Sequence, residues 1–302
     1  MKSRSGGSSV NALEASFSAP YEPHIPVHLA AMTWVVFERD TVFTVWDSLE
    51  RELFQLSKKF SPKRVHDSRI ALRRWESVWQ VLRRDGFESG KFAKKVGKKL
   101  QKLLKVLGAS RDMDVNIELG CKVGVSKEIL DKWKDEQKTL SEAAKKYVKK
   151  LDVDQLVQDF DKCLNRRARK LGRQLFESSY GQETAYQHLE RYLVEQEKAV
   201  FDMERTAKTP EELHQLRLGI KYWRFLLAEF FGLTSIGLYK TQQDLGRFND
   251  LTRIGELIKD IPEEANTLEA IKKRNEENMK DFAKSRKKLP YGLRPVSFSP
   301  LI

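Results

Sequence analysis

Two stretches of this sequence set a histidine, an arginine and a second cation at one spacing. VHDSRIALRRWESVW from Val65 gives His66, Arg69 and Arg73, and LHQLRLGIKYWRFLL from Leu213 gives His214, Arg217 and Lys221. On a helix of about 3.6 residues per turn these positions share one side. The chemistry open to such a ridge is anion binding. Arginine presents a planar fork that bridges two oxygens, lysine a mobile point charge, and histidine a donor whose charge changes near neutral pH. Mixed ridges of this kind suit a repeating phosphate chain, which needs no fixed register.

Each ridge has an apolar back. Opposite His66 fall Trp75, Val78, Trp79 and Leu82, and opposite His214 fall Leu216, Trp223, Leu227 and Phe230, so the tryptophans are expected in the core. A third element, KFAKKVGKKLQKLLKVLG from Lys91, carries a stripe of Phe92, Val96, Leu100, Leu103, Leu104 and Leu107. Its other side is a rail of Lys91, Lys94, Lys95, Lys98, Lys102 and Lys105, with no acid among them. Such a rail repels itself by roughly a few tenths of a kcal/mol per close pair, which a bound anion would relieve. Few acids accompany the ridges. Asp112 and Asp250 are expected to open helices, where they would cap or orient an arginine. Joining His66, His214, Asp112 and Asp250 into a metal site is disfavoured, because the surrounding cations oppose a metal and no two ligands have helical HxxxH spacing. No P-loop, nucleophile elbow or paired-acid motif is present, so a non-enzymatic protein without metal or cofactor is expected.

The elements that must hold these residues read as nearly all helix from Val27 to Ile271, with apolar residues at spacings of three and four. Ser61-Pro62, Asp85-Gly86, Gly108, Gly120 to Gly124, Gly181, Thr209-Pro210, Gly232 and Ile261-Pro262 mark the breaks. They divide the chain into about ten helices. Ser61 and Thr209 each cap a helix beginning in proline, and each histidine follows five residues later. After the first ridge comes Leu107-Gly108 with Arg111 and Asp112; after the second comes Leu245-Gly246 with Asn249 and Asp250. The same order twice, differing by a loop-sized insertion, predicts an internal duplication of roughly four helices. Lys127 to Lys170 reads as a helical connector. The expected division is a leader at 1–21, a first half with connector at 22–180, a second half at 181–288 and an irregular tail at 289–302.

Composition sets the outer limits. The chain has 302 residues and a formal net charge of +13, enough for a core without staples and strongly attractive to polyanions, without choosing among them. Cys121 and Cys163 offer no disulfide framework or zinc spacing, which fits a reducing compartment; a cytoplasmic location is expected. The most apolar stretch, Val27 to Phe37, is roughly half the ~20 residues that a bilayer crossing requires, so no membrane partner is expected.

The HxxRxxxRR helix, the lysine-rich helix with LGxxRDxDV, and the second HxxRxxxK with LGxxND resemble the CHAD family, the conserved histidine α-helical domain, from about Pro26 to Lys288. The resemblance implies an all-α fold of two pseudo-symmetric four-helix bundles flanking a basic groove or pore. It also implies binding of inorganic polyphosphate, with association with polyphosphate granules. Many members carry a CYTH-type triphosphate hydrolase domain, which this sequence does not contain. The implied polyphosphate ligands are His66, Arg69, Arg73 and Arg74, with Lys98, Lys102, Lys105 and Arg111, in the first half. In the second they are His214, Arg217, Lys221 and Arg224, with Lys240 and Arg247. Asn249 stands where the first copy has Arg111, and Tyr222 where it has Arg74, so the halves are expected to bind unequally. Two other readings stay open: a helical protein that binds nucleic acid, nonspecifically through its backbone, and a metal-dependent phosphohydrolase or phosphohistidine carrier using His66 or His214.

Overall fold

A computed structural model describes residues 27–84, 91–163, 195–286 and 293–295. Its elements in chain order are α1 (Val27–Lys58), α2 (Pro62–Arg84), α3 (Lys91–Val123), α4 (Lys127–Lys150), α5 (153–163), α6 (195–206), α7 (Pro210–Phe231), β1 (Leu233–Ser235), α8 (Ile236–Ile258), a 3-10 turn (Pro262–Glu264), α9 (Ala265–Arg286) and β2 (Leu293–Pro295). The fold is all-α apart from a two-stranded antiparallel ribbon pairing Leu233 with Pro295 and Ser235 with Leu293. Residues 293–295 fall in the stretch expected to be an irregular tail; the rest of that stretch lies outside the described residues, as do the breaks at Asp85-Gly86 and Gly181 and the leader at 1–21.

The two ridge helices start as their sequences dictate. Ser61 Oγ accepts from Arg64 N at 3.4 Å, and Thr209 closes a full capping box, accepting from Glu212 N while Glu212 Oε2 accepts from Thr209 N at 3.0 Å. α7 ends at Gly232, in the left-handed region at φ 58°, and α3 is followed by Gly124 at φ 86°. No described helix is long and apolar enough to cross a membrane.

Three apolar clusters hold the helices. One joins α1, α2, α3 and α5 with Ala144 and Val148 of α4 and Leu226 and Phe230 of α7, and stacks Trp46 on Phe160 at 3.7 Å between ring centroids, with Trp75 edge-on to both. A second joins Leu213, Leu216, Ile220, Trp223 and Leu227 of α7 to α6, α8 and Phe282 of α9. The third joins the end of α3 to α4, α8 and α9. The expected backs of both ridges are buried, including Trp75, Val78, Trp79, Leu216, Trp223, Leu227 and Phe230; so is the stripe Val96, Leu100, Leu103, Leu104 and Leu107. The side chains of Leu82 and Phe92 lie outside the described residues.

Two sequence expectations are corrected. Gly108 does not break a helix, and Asp112 and Asp250 do not open one: Gly108 and Asp112 lie inside α3, and Asp250 inside α8. An interior glycine costs a helix only about 1 kcal/mol relative to alanine, and both Leu-Gly glycines repay that by what they let approach, described below. Gly120, also inside α3, shows the same logic in the core. A Cβ there would lie 2.7 Å from the Trp133 ring and 3.0 Å from Leu130 on α4. An indole packed in a core cannot step aside, so Gly120→Ala is expected to destabilise by about 1–2 kcal/mol even after alanine's better helix propensity. A lowered urea midpoint at unchanged slope is the check.

Candidate functional site

The site lies where α2 and α7 pack together and meet α3 and α8. Residues at matching places in the two motifs do matching jobs. Eight positions after each histidine stand Arg74 and Tyr222. Arg74 grips Glu229 of α7 with a two-pronged bond, Nε donating to Oε1 at 2.6 Å and Nη2 to Oε2 at 3.0 Å. Tyr222 donates its hydroxyl to the Ser77 carbonyl of α2 at 3.3 Å. Both residues therefore tie one ridge helix to the other.

One position earlier stand Arg73 and Lys221. Lys221 is half-buried, and burial first, then the charges of Arg73, Arg217 and Arg69, push its amine down to about 8 against the opposing pull of Glu76. Among the described residues no carboxylate comes within ion-pairing distance of its Nζ. Arg73 itself bonds Glu76, one turn on, at 2.8 Å.

Four positions earlier again come the motif arginines, and here the Leu-Gly glycines act. A Cβ at residue 108 would sit 2.6 Å from Arg69 Nη1, and one at residue 246 would sit 3.4 Å from Arg217 Nε. Each glycine lets a guanidinium lie against the next helix, which is why Leu-Gly follows each ridge. A neighbouring aspartate holds the first of these arginines. Asp112 Oδ1 accepts from Arg69 Nη2 at 3.3 Å, and Arg253 of α8 adds an ion pair to Asp112 Oδ2 at 3.5 Å and a hydrogen bond to its main-chain oxygen at 3.0 Å. Burial lowers the Arg69 guanidinium while Asp112 resists that. Burial likewise raises the Asp250 carboxyl against the pull of Arg217 and Arg253. Arg217 Nε is buried with no acceptor among the described residues.

His66 is exposed, while His214 is half-buried with Nδ1 2.6 Å from Asn249 Oδ1. Asn249 also hydrogen-bonds the Asp250 carboxylate. Its amide therefore presents oxygen to the imidazole, which makes Nδ1 the donor of that bond. The asparagine that replaces arginine in the second copy thus orients a histidine.

The remaining expected ligands are distributed as follows. Lys98, Lys102 and Lys105 are exposed along α3, Lys102 lying 5.4 Å over the Tyr147 ring, and Lys95 of the same rail pairs with buried Asp159 at 2.9 Å. Arg111 is half-buried beside Arg69 and 3.8 Å from Asp114. Arg224 is engaged by α8, bonding Gln242 at 2.7 Å and lying 4.7 Å over Tyr239. Lys240 is exposed, and Arg247 is exposed with Asp244 at 3.6 Å. The structure therefore gathers Arg69, Arg73, Arg217 and Lys221, and with them Arg253, which the sequence pattern misses. Arg253 aligns with Val115 in the first half, so a search for repeated residues passes over it; its one signal is its place a turn after Asp250. The expectation of few nearby acids is also corrected: Glu76, Asp112 and Glu229 each hold a ridge arginine. The described residues contain no group of three or more His, Cys, Asp or Glu able to hold a metal ion.

Comparison with known proteins fits this architecture. The crystal structure of the CHAD domain from the plant Ricinus communis is similar at a TM-score of 0.54 and 15% identity, over 88% of this chain and 94% of that one. No curated protein matches the sequence. A family model described as CHAD domain matches residues 45–259, which spans both ridges and both Leu-Gly elements, and the chain belongs to that family.

Proposed function

We propose that this protein binds inorganic polyphosphate, without chemistry, in the cationic seam between α2 and α7, with the α3 lysines extending it. The observation that carries this reading is the meeting of Arg73 and Lys221 from matching positions, flanked by Arg69 and Arg217, with no carboxylate paired to Lys221 among the described residues. Crowding like charges into a half-buried seam costs stability unless an anion is to be received there. Arginines pre-held by Asp112 keep their forks ordered before binding, which lowers the entropy that a flexible polyanion's capture must offset.

The test is a titration with long-chain polyphosphate against equal charge of heparin and of duplex DNA, at two salt concentrations. Tighter binding of polyphosphate at both is expected, with salt weakening all three through counterion release. Equal affinities would sink the reading and favour general polyanion binding, nucleic acid included.

Lys221 adds a pH signature. A bound anion favours the ammonium and raises its pKa, so binding takes up a proton once pH passes about 8. Affinity should fall between pH 7 and 9, by up to about tenfold per unit above the free-state value. Affinity that is flat across this window would contradict phosphate contact at Lys221.

A further inference from the structure

We propose that the groove between α2 and α3 holds the amino-bearing base of a nucleotide whose phosphates reach Arg73; the phosphate end of this inference rests on the seam reading above. Leu72, Trp79, Leu100 and Leu104 form the apolar floor of the groove, and Glu76, Gln80 and Gln101 its polar lining. It has about 410 Å³ of space, counting what lies open to solvent. The floor is rigid, because Trp79 packs on Trp75 at 5.6 Å between ring centroids and is only 5% exposed.

Gly97 shows that this space is not an accident of packing. Of the three glycines inside α3, a Cβ at 108 or 120 would come within 2.6 or 2.7 Å of a neighbouring side chain. At 97 the nearest atom, Trp79 Nε1, would lie 3.4 Å away, so alanine would fit there and would favour the helix. What glycine preserves at 97 is the opening over the edge of the indole.

The polar lining has hydrogen-bonding capacity left over. Glu76 Oε2 accepts from Arg73 Nη1 at 2.8 Å, while Glu76 Oε1 and the carboxamides of exposed Gln80 and Gln101 bond nothing among the described residues. A carboxylate oxygen only accepts, so it favours a ring with an exocyclic amino group, such as adenine or cytosine, over uracil. The carboxamides offer both donor and acceptor to the ring edge. An apolar aromatic floor with a few polar groups above it is the usual make-up of a small-molecule site. Arg73 and Gln80 are seven residues apart on α2, about 10 Å along its axis, a distance that a ribose and its first phosphates span. Arg73 has N–H groups beyond the one given to Glu76, so it meets the phosphates while Glu76 meets the base.

The test is calorimetric titration of the intact chain, without magnesium, with adenosine triphosphate, uridine triphosphate and inorganic tripolyphosphate. Adenosine triphosphate should bind at least about tenfold tighter than tripolyphosphate, the gain of one hydrogen bond to a charged acceptor plus a covered ring. Uridine triphosphate should bind at least about threefold more weakly than adenosine triphosphate. Gln80→Ala combined with Gln101→Ala, both on exposed helix positions, should remove most of the adenine advantage and leave tripolyphosphate affinity unchanged within about twofold. Equal affinities for adenosine triphosphate and tripolyphosphate would overturn the groove and leave the seam reading standing. An adenine advantage that survives the double variant would also overturn it, since the base would then lie elsewhere. Saturable binding of plain adenosine, lost in that variant, by a chain that gains nothing from added phosphates would keep the base in the groove and refute the phosphate end together with the seam.

Discussion

Replacing Arg69 and Arg217 together by glutamine is expected to reduce affinity for long-chain polyphosphate by about a hundredfold or more, while helical circular dichroism is retained. Each guanidinium offers charge-assisted bonds worth about 1.5–3 kcal/mol, and two of them correspond to that loss or beyond. Glutamine is the informative replacement because of what surrounds each arginine. Charge reversal would set a new carboxylate against Asp112 and Asp250, and a loss of binding could then reflect a disturbed fold. With glutamine, Arg253 still neutralises Asp112 and acts on Asp250. The measurement is a binding isotherm for each single variant and for the double. Retained affinity in the double variant would remove the motif arginines from the site.

The second large effect concerns Arg74, and its direction separates structure from binding. Glu229 has only 8% of its side chain exposed, and Arg74, 38% exposed, is its ion-pair partner. Arg74→Ala leaves that carboxylate without its partner at the α2–α7 seam and is expected to cost about 2–3 kcal/mol of stability, below the full figure for a buried pair because Arg74 itself is partly in water. Arg74→Met combined with Glu229→Met should recover most of the loss, since neither charge is then stranded. Polyphosphate affinity should change little beyond the loss of one peripheral charge. Unchanged stability with a large drop in affinity would return Arg74 to the ligand set implied by family resemblance.

These two positions show what was legible in the sequence. The ridges, their tryptophan backs and the proline-led caps follow from residue periods and spacings, and the structure has them as expected, whereas the Leu-Gly echoes lie inside α3 and α8 rather than at turns. Local signals fail where one residue answers to another helix. Gly108 looks like a helix stop because propensity is a local quantity, yet it stays helical because Arg69 needs the space above it. Arg74 and Tyr222 look like a functional asymmetry between the halves. In the fold they share a task, since each bonds the opposite ridge helix. Arg253 has no counterpart in the repeat, so symmetry hides it although it holds Asp112 across the two halves. His66 and His214, the first residues of each motif, are less enclosed in meaning than their prominence suggests: one is exposed, the other is fixed by Asn249, and Lys221 is the cation whose titration the seam perturbs most visibly.

The asymmetry that remains between the halves lies at Arg111 and Asn249. The first adds a cation beside Arg69, and the second spends its amide on His214 and Asp250. The lysine rail of α3 also belongs to the first half alone. A bound chain should therefore run from the seam toward α3 rather than toward α8.

The most direct test is a structure of the protein with a polyphosphate chain of defined length. The account predicts phosphate oxygens within hydrogen-bonding distance of Arg69, Arg73, Arg217 and Lys221, with further phosphates along Lys98, Lys102 and Lys105. Density confined to the exposed lysines of α3, with the α2–α7 seam empty, would contradict it.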